Sequence, residues 1–368
     1  VGRLQNGSRL RHAVGVPVRD EGGNSSSSLA RPGTRRMTAL RIRACGPAAT
    51  VQDAGRTGYL RFGVSESGPM DWARHALANR MAGNDAGAAA VEIGPGGIEV
   101  EATGGPVLLA VAGPGAEVAT PDGLVSAPCT VVLPPGGRLA VRQRAAGMWA
   151  YLAVAGGVDR PAVLGSRATN AVTGLGGAPL RADDELAVGE APVPLDEGAV
   201  GYLDPVADSD APVSVTPGPQ AHLFSAGELE AFVATAWRVS ERVDRMGVRL
   251  DGGSQGCAGG HDIVSDGIAL GSVQIPGDGL PTVLTADRQP TGGYPKIATV
   301  VRADLPALVQ RRPGQRIRFA WTTVEAAADR LLVSRRALAR PVRAVVDRPD
   351  TARLLSVNLV DGVVDAFA

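Results

Sequence analysis

Glycine and proline interrupt this sequence so often that few long helices fit between them. The 368 residues include 49 Gly and 27 Pro. From Met37 onward turn signals recur roughly every 8–12 residues, the spacing of a β-barrel or sandwich. Short β-prone runs lie between them, among them "AAVEIG" (89–94), "PVLLAVAG" (106–113), "CTVVLPPG" (129–136) and "MWAYLAVAGG" (148–157). The fold expected is mainly β with a few helices. One helix is expected over 68–84, with Pro69 at its first position, Asp71 in its first turn, Gly83 past its end and Ala73, Leu77 and Met81 facing the core. A second is expected over 225–240, opened by a capping box of Ser225 and Glu228, and a third over 323–339. The stretch 203–220 reads as a linker, and "LLSVNLVDG" (354–362) as a last strand.

Bulk properties exclude several classes. The formal net charge is zero at pH 7, so no general field draws nucleic acid or an anionic membrane. No apolar run reaches the ~18–20 residues that span a bilayer. Cys45, Cys129 and Cys257 are odd in number and far apart, which argues against a disulfide framework or a zinc knuckle. A soluble protein of the reducing cytoplasm is expected. Residues 1–36, with "NSSSS" at 24–28 and scattered arginines, lack the apolar core of a secretory signal. They read as a flexible extension, with a transit peptide as the alternative and Met37 as the start of the functional protein.

Familiar catalytic engines are missing. No phosphate-binding GxxxxGK[ST] loop is possible, because Lys296 is the sole lysine and every other cation is arginine. No GxGxxG opens a helix, and "GVSESG" (63–68) lacks the spacing of a nucleophile elbow. "CAGGHD" (257–262) supplies too few ligands for a metal site, and none is expected. Two stretches do carry chemistry. In "SGPMD" (67–71) a Gly-Pro pair leads into a helix N-terminus, whose free N–H groups suit a phosphate or carboxylate; the alternative is an ordinary Asp71 complementing the dipole. "LTADRQPTGGYPKI" (284–297) packs Asp287, Arg288, Thr291, Gly292, Gly293, Tyr294 and Lys296 into a turn between apolar strands. The glycines let backbone approach a ligand, and lysine supplies a compact, movable charge that arginine's planar fork does not replace. A decorated hairpin is the alternative.

These stretches also carry a resemblance. "TVQDAGRTGYLRFGVSESGPMDWARHALANRMAGN", "AYLAVAGGVDRPAVLGSRAT", "DRMGVRLDG" and "GSVQIPGDGLPTVLTADRQPTGGYPKIATVVRADLP" occur in order over about residues 40–320. Together they closely resemble the allophanate hydrolase subunit 2 family, also called biotin-dependent carboxyltransferase subdomain A and B. The departures are the leader and a shortened "GLGGAPLRADDEL" (174–186). The resemblance implies tandem cyclophilin-like β-barrel subdomains, over 37–210 and 211–368, and a partner of the subunit 1 (subdomain C/D) type. Three activities go with it. The first is ATP-dependent 5-oxoprolinase, opening a lactam with ATP and Mg²⁺ beside a LamB/YcsF-like subunit. The second is the carboxyltransferase half of a urea or amide carboxylase. The third is a non-enzymatic antagonist of a kinase-inhibitor-like partner. Biotin is carried on a lysine flanked by methionines, which "YPKIA" does not offer, so no biotin is expected on this chain. For the first activity Lys296, Arg288, Thr291, Gly292, Gly293 and Tyr294 suit the phosphoryl group, with Gln274 in the neighbouring motif. Arg245 or the helix start after Ser67 suits the substrate carboxylate, and Asp287 or Asp71 suits Mg²⁺ or the role of base.

Overall fold

The computed structural model describes residues 38–144, 146–191, 199–202, 211–339 and 344–345. The expected leader (1–36) and last strand (354–362) lie outside these residues, as does the expected boundary near 210. Three large sheets and four α-helices form the framework of the described residues. The chain is mainly β, as expected.

A six-stranded sheet runs in the order Glu185–Ala187, Ala39–Cys45, Ile98–Thr103, Arg138–Gln143, Ala116–Thr120, Gly123–Ser126. A seven-stranded sheet includes Thr50–Gln52, Ala90–Ile93, Ala150–Val154, Val107–Ala112 and Cys129–Leu133 in that order. Strand Ile98–Thr103 shows the alternation of a half-buried strand, with Ile98, Val100 and Ala102 inside. Strands Ala90–Ile93 and Ala150–Val154 are buried on both faces. One face (Val91, Ile93, Leu152) joins Leu40, Ile42 and Leu109 in a core between the two sheets. The other (Ala90, Tyr151, Ala153) packs beneath a helix, together with Leu77 and Met81. That double burial is what places Glu92, the register partner of Tyr151, in a dry setting.

The helix is α1, Trp72–Met81. Ala73, Leu77 and Met81 are buried as expected, and burying a leucine contributes ~1.5–3 kcal/mol. Its start corrects the expectation. Asp71 is not in the first turn but is the N-cap, its carboxylate accepting from the N–H groups of Ala73 and Arg74 at 3.1 and 3.0 Å. Pro69 therefore precedes the helix. Gly83, at φ +76°, takes the left-handed position after the last turn.

The third sheet has eight strands, in the order Arg316–Ile317, Trp237–Val243, Gly247–Asp251, Thr282–Leu284, Ser272–Gln274, Lys296–Val300, Val213–Pro217, Phe319–Trp321. Two further expectations need correction here. The expected linker 203–220 contains the buried strand Val213–Pro217. The second expected helix stops at α2, Ala226–Ala234. Its capping box is present, but Trp237 and Val239 are buried in a strand whose indole N–H bonds back to Phe232 O at 2.9 Å. Aromatic and β-branched residues win there once a sheet is available to pack them. Helices α3 (Leu305–Val309) and α4 (Val324–Ala339) follow, and both lie against α1.

Candidate functional site

Two polar clusters form around these elements. The first is sealed. Glu92 is fully buried, and its Oε2 accepts from Met70 N–H at 2.7 Å and from Tyr151 O–H at 2.8 Å. Its Oε1 pairs with Arg245. Arg245 also donates to both oxygens of Asp287, at 2.9 and 3.1 Å, and to Gly68 O at 2.8 Å. Asp287 accepts in addition from Ala171 N–H at 3.0 Å. Asp71 donates its own N–H to the Tyr151 hydroxyl oxygen at 2.7 Å, and its Oδ2 accepts from Arg74 and Gln310 at 3.1 and 2.9 Å. The Gln310 oxygen then takes the N–H groups of Met148 and Trp149.

Burial raises the Glu92 pKa against the opposing pull of Arg245. Desolvation works to lower that of Arg245, but the Glu92 and Asp287 charges overbalance it and the net shift is upward. Two carboxylates around one guanidinium thus hold it charged. The cluster fastens the 68–92 and 148–151 segments to the 245 and 285–310 segments.

The second cluster is incomplete. Lys296 opens strand Lys296–Val300 and is fully buried, opposite Gln274 at a register shift in the ladder. Its Nζ lies 3.4 Å from Asp266 Oδ2, an ion-pair distance, yet makes no hydrogen bond. Gln274 Nε2 is also buried without a partner. The Gln220 amide ties the edge together, accepting from Lys296 N–H at 3.3 Å and donating to Asp266 at 3.1 Å. That amide first, then Gly267 N–H and Lys296, hold the Asp266 carboxyl below its ordinary value. Thr291 and Gly292 pair with Asp266 and Gly267 in a small ladder over the cluster. A Cβ on Gly292 would stand 2.8 Å from Ile268 Cδ1 and 2.9 Å from Gln274 Nε2. Only glycine leaves that space open. Tyr294 is 41% exposed at the rim.

The residues singled out in the sequence thus divide. Lys296, Gln274, Gly292, Gly293, Thr291 and Tyr294 belong to the open cluster or its covering turn. Asp71, Asp287 and Arg245 belong to the sealed one, with Ser67 at its edge accepting from Asn170 at 3.2 Å. Arg288 is buried and donates to Ile268 O, Thr285 O and Glu66. Among the described residues no group of three His, Cys, Asp or Glu is placed to hold a metal.

Residues 62–321 match the family model described as carboxyltransferase domain, subdomain A and B. The chain belongs to this family. It is 37% identical to the C-type 5-oxoprolinase subunit of Escherichia coli over 292 residues, covering 78% of this chain and 93% of that one. The corresponding 5-oxoprolinase chain of Haemophilus influenzae is 33% identical, with 76% and 90% covered. Urea amidolyase of Saccharomyces cerevisiae is 31% identical, with 77% of this chain but only 16% of that one covered. Among solved structures, TTHA0988 superposes with a TM-score of 0.70 at 35% identity, over 78% of this chain and 57% of that chain. Urea amidolyase of K. lactis gives 0.74 at 30% identity, over 82% and 20%. The carboxyltransferase-domain chain therefore spans a little over half of one solved relative and a fifth of the other.

Sequence reasoning missed Glu92, Tyr151, Gln310, Gln220 and Asp266. Glu92 did leave a signal, because a carboxylate inside "AAVEIG" is flanked by apolar residues on both sides and has to find a buried partner. The others sit in unremarkable contexts, and only the folded chain brings them to their partners.

Proposed function

We propose that this carboxyltransferase-domain chain is a subunit of an ATP-dependent 5-oxoprolinase, converting 5-oxo-L-proline, ATP and water to L-glutamate, ADP and phosphate. The observation that carries the reading is similarity, 37% identity to the E. coli 5-oxoprolinase chain against 31% to urea amidolyase of Saccharomyces cerevisiae. The chain matches the E. coli 5-oxoprolinase chain over 93% of that protein, whereas in urea amidolyase the same region is a small part of a much longer chain. The reading puts the complex in the cytoplasm with a subunit 1-like (subdomain C/D) partner and a LamB/YcsF-like chain. No described helix is long and apolar enough to cross a membrane.

The chemistry asks for cations and donors around an anionic oxygen. An unstrained lactam resists water until its amide oxygen is made a leaving group, which is what a phosphoryl group from ATP with Mg²⁺ supplies. The buried Lys296 Nζ and Gln274 Nε2, both lacking a hydrogen-bond partner, fit such an oxygen, and Gly292 leaves it room. Preorganised donors in a dry site stabilise developing negative charge with little reorganisation. Asp266 sets the position of the ammonium, and Thr291 and Tyr294 border the entrance. In this reading Asp71, Asp287 and Arg245 hold the walls in register and do not touch substrate. Arg288 anchors the turn from below.

The test is reconstitution. Co-expressed with its partner chains, the protein should form a stable complex that releases glutamate and ADP only when 5-oxoproline and ATP are both present. Alone it should show negligible turnover. Transfer of carboxyl from carboxybiotin to urea by the assembled complex, or robust turnover by the isolated chain, would overturn the reading.

A further inference from the structure

The strand that Lys296 opens leads to a second cationic region. Arg302 follows two residues after strand Lys296–Val300 ends, so at ~3.3 Å per residue it lies at most about 20 Å from Lys296 along the chain. Arg302 lines a separate cavity of about 410 Å³, together with Trp72 and Arg80 on α1 and with Arg335 and Leu338 on α4. That volume is typical of small-molecule sites and generous for a lone inorganic anion.

Charge sets this cavity apart. Three guanidiniums line it, and among its described lining residues there is no carboxylate. The Arg302 and Arg335 side chains reach solvent, and neither makes a hydrogen bond or ion pair with a described residue, in contrast to the buried Arg245 and Arg288. Arg80 donates to Ala339 O at 3.2 Å, while its Nε is buried with no partner. Desolvation, then the charge of Arg335, lowers the Arg302 pKa, with the nearby Glu66 carboxylate working against them. His75 adds no charge, since burial lowers its pKa and its Nε2 is engaged with Gln52 O. Three like charges facing one space repel, solvent screens part of that repulsion, and an anion that joins them relieves the rest.

The apolar wall is fixed as well. The Trp72 indole N–H donates to Arg302 O at 3.0 Å, so the ring is tied to the residue that bears a free guanidinium. An aromatic wall beside a cationic one suits a ligand that has a flat ring and several negative charges.

We propose that this cavity binds the polyphosphate and base of a nucleoside triphosphate. The choice of a nucleotide over another polyanion rests on the ATP-dependent reading above, while the cationic cavity does not. Arg80, Arg302 and Arg335 take the phosphates, and Trp72 with Leu338 borders the base.

Calorimetric titration of the full chain, without partner subunits, tests this with ATP, AMP and inorganic phosphate as probes. ATP should bind, with AMP and phosphate at least about tenfold weaker. Each of Arg302→Ala and Arg335→Ala should weaken ATP by ~10- to 100-fold, the usual effect of losing a hydrogen bond to a charged group. Arg335 lies on an exposed part of α4, so its variant keeps the test valid if Arg302→Ala fails to fold. Binding should also weaken as salt is raised. No ATP binding, ATP binding indifferent to Arg335→Ala, or phosphate binding as tight as ATP would each overturn the inference. An active 5-oxoprolinase complex with ATP affinity unchanged in Arg335→Ala would sink this inference alone. Arginine-dependent ATP binding with an inert complex would sink only the proposed reaction.

Discussion

The Glu92–Arg245–Asp287 cluster and the Lys296–Gln274 cluster are both buried, both charged, and both draw on residues of the motif 271–306. They differ in completeness. Every charged group of the first has hydrogen-bond partners within the fold, whereas Lys296 Nζ and Gln274 Nε2 in the second have none. A satisfied buried ion network fixes geometry, and an unsatisfied buried donor costs stability unless something outside the fold completes it. The difference therefore separates groups whose partners lie within the fold from donors left without one, which residue type alone does not do.

The largest effect should come from breaking the sealed cluster. Arg245→Met leaves the Glu92 and Asp287 carboxylates buried together without their cation. Loss of one member of a buried pair costs ~3–5 kcal/mol, so urea denaturation should show destabilisation of that order. A loss under about 1 kcal/mol, typical of exposed pairs, would mean that the network is not what joins the segments.

Lys296 should behave in the opposite way. Lys296→Met removes an ammonium without a hydrogen-bond partner, so the melting temperature should hold or rise. Activity of the assembled complex should fall ~10²–10³-fold, as on deleting one preorganised donor. Lys296→Arg should not restore it, because the planar fork does not fit the space of the ammonium. Wild-type rates in Lys296→Arg would remove this residue from the site.

Gly292→Ala should have a smaller effect. Its Cβ meets the ends of three side chains, Ile268 and Gln274 closely and Gln289 at 3.7 Å, and no backbone atom among its nearest neighbours. Those side chains can shift by tenths of an ångström, so stability should change by less than about 1 kcal/mol. The shift moves Gln274 Nε2, and turnover should fall roughly tenfold. Unchanged turnover would show that Gln274 does not meet substrate.

Much of the fold was legible because it depends on local chemistry. The capping box at Ser225 and Glu228, the Ala73–Leu77–Met81 stripe and the glycine turns are each fixed within a few residues. The failures came where distant contacts decide. Helix propensity over 235–240 yields to a strand that buries Trp237, and Asp71 becomes an N-cap because Tyr151, Arg74 and Gln310 hold it there. The site was half legible. TGGYPK stands out in the sequence through its glycines and the lone lysine. That Asp287 belongs to Arg245, and not to the lysine nine residues later, depends on a pairing across the fold that no sequence spacing encodes.

The smallest effect concerns Asp266, the acidic member of the open cluster. Its lowered pKa means that the ionised form is favoured in the folded chain over the unfolded one, where the ordinary value is 3.8. The stabilisation is then complete above that ordinary value and is lost as pH falls through the lowered one. Asp266→Asn removes the titration, so the stability difference between wild type and variant should be constant above about pH 5 and shrink on further acidification. The largest single contribution to the shift is the Gln220 amide, followed by Gly267 N–H and then Lys296, so Gln220→Ala should reduce this acid dependence. If Lys296→Met abolished it and Gln220→Ala left it intact, the ammonium would be committed to Asp266. The second cluster would then be as closed as the first.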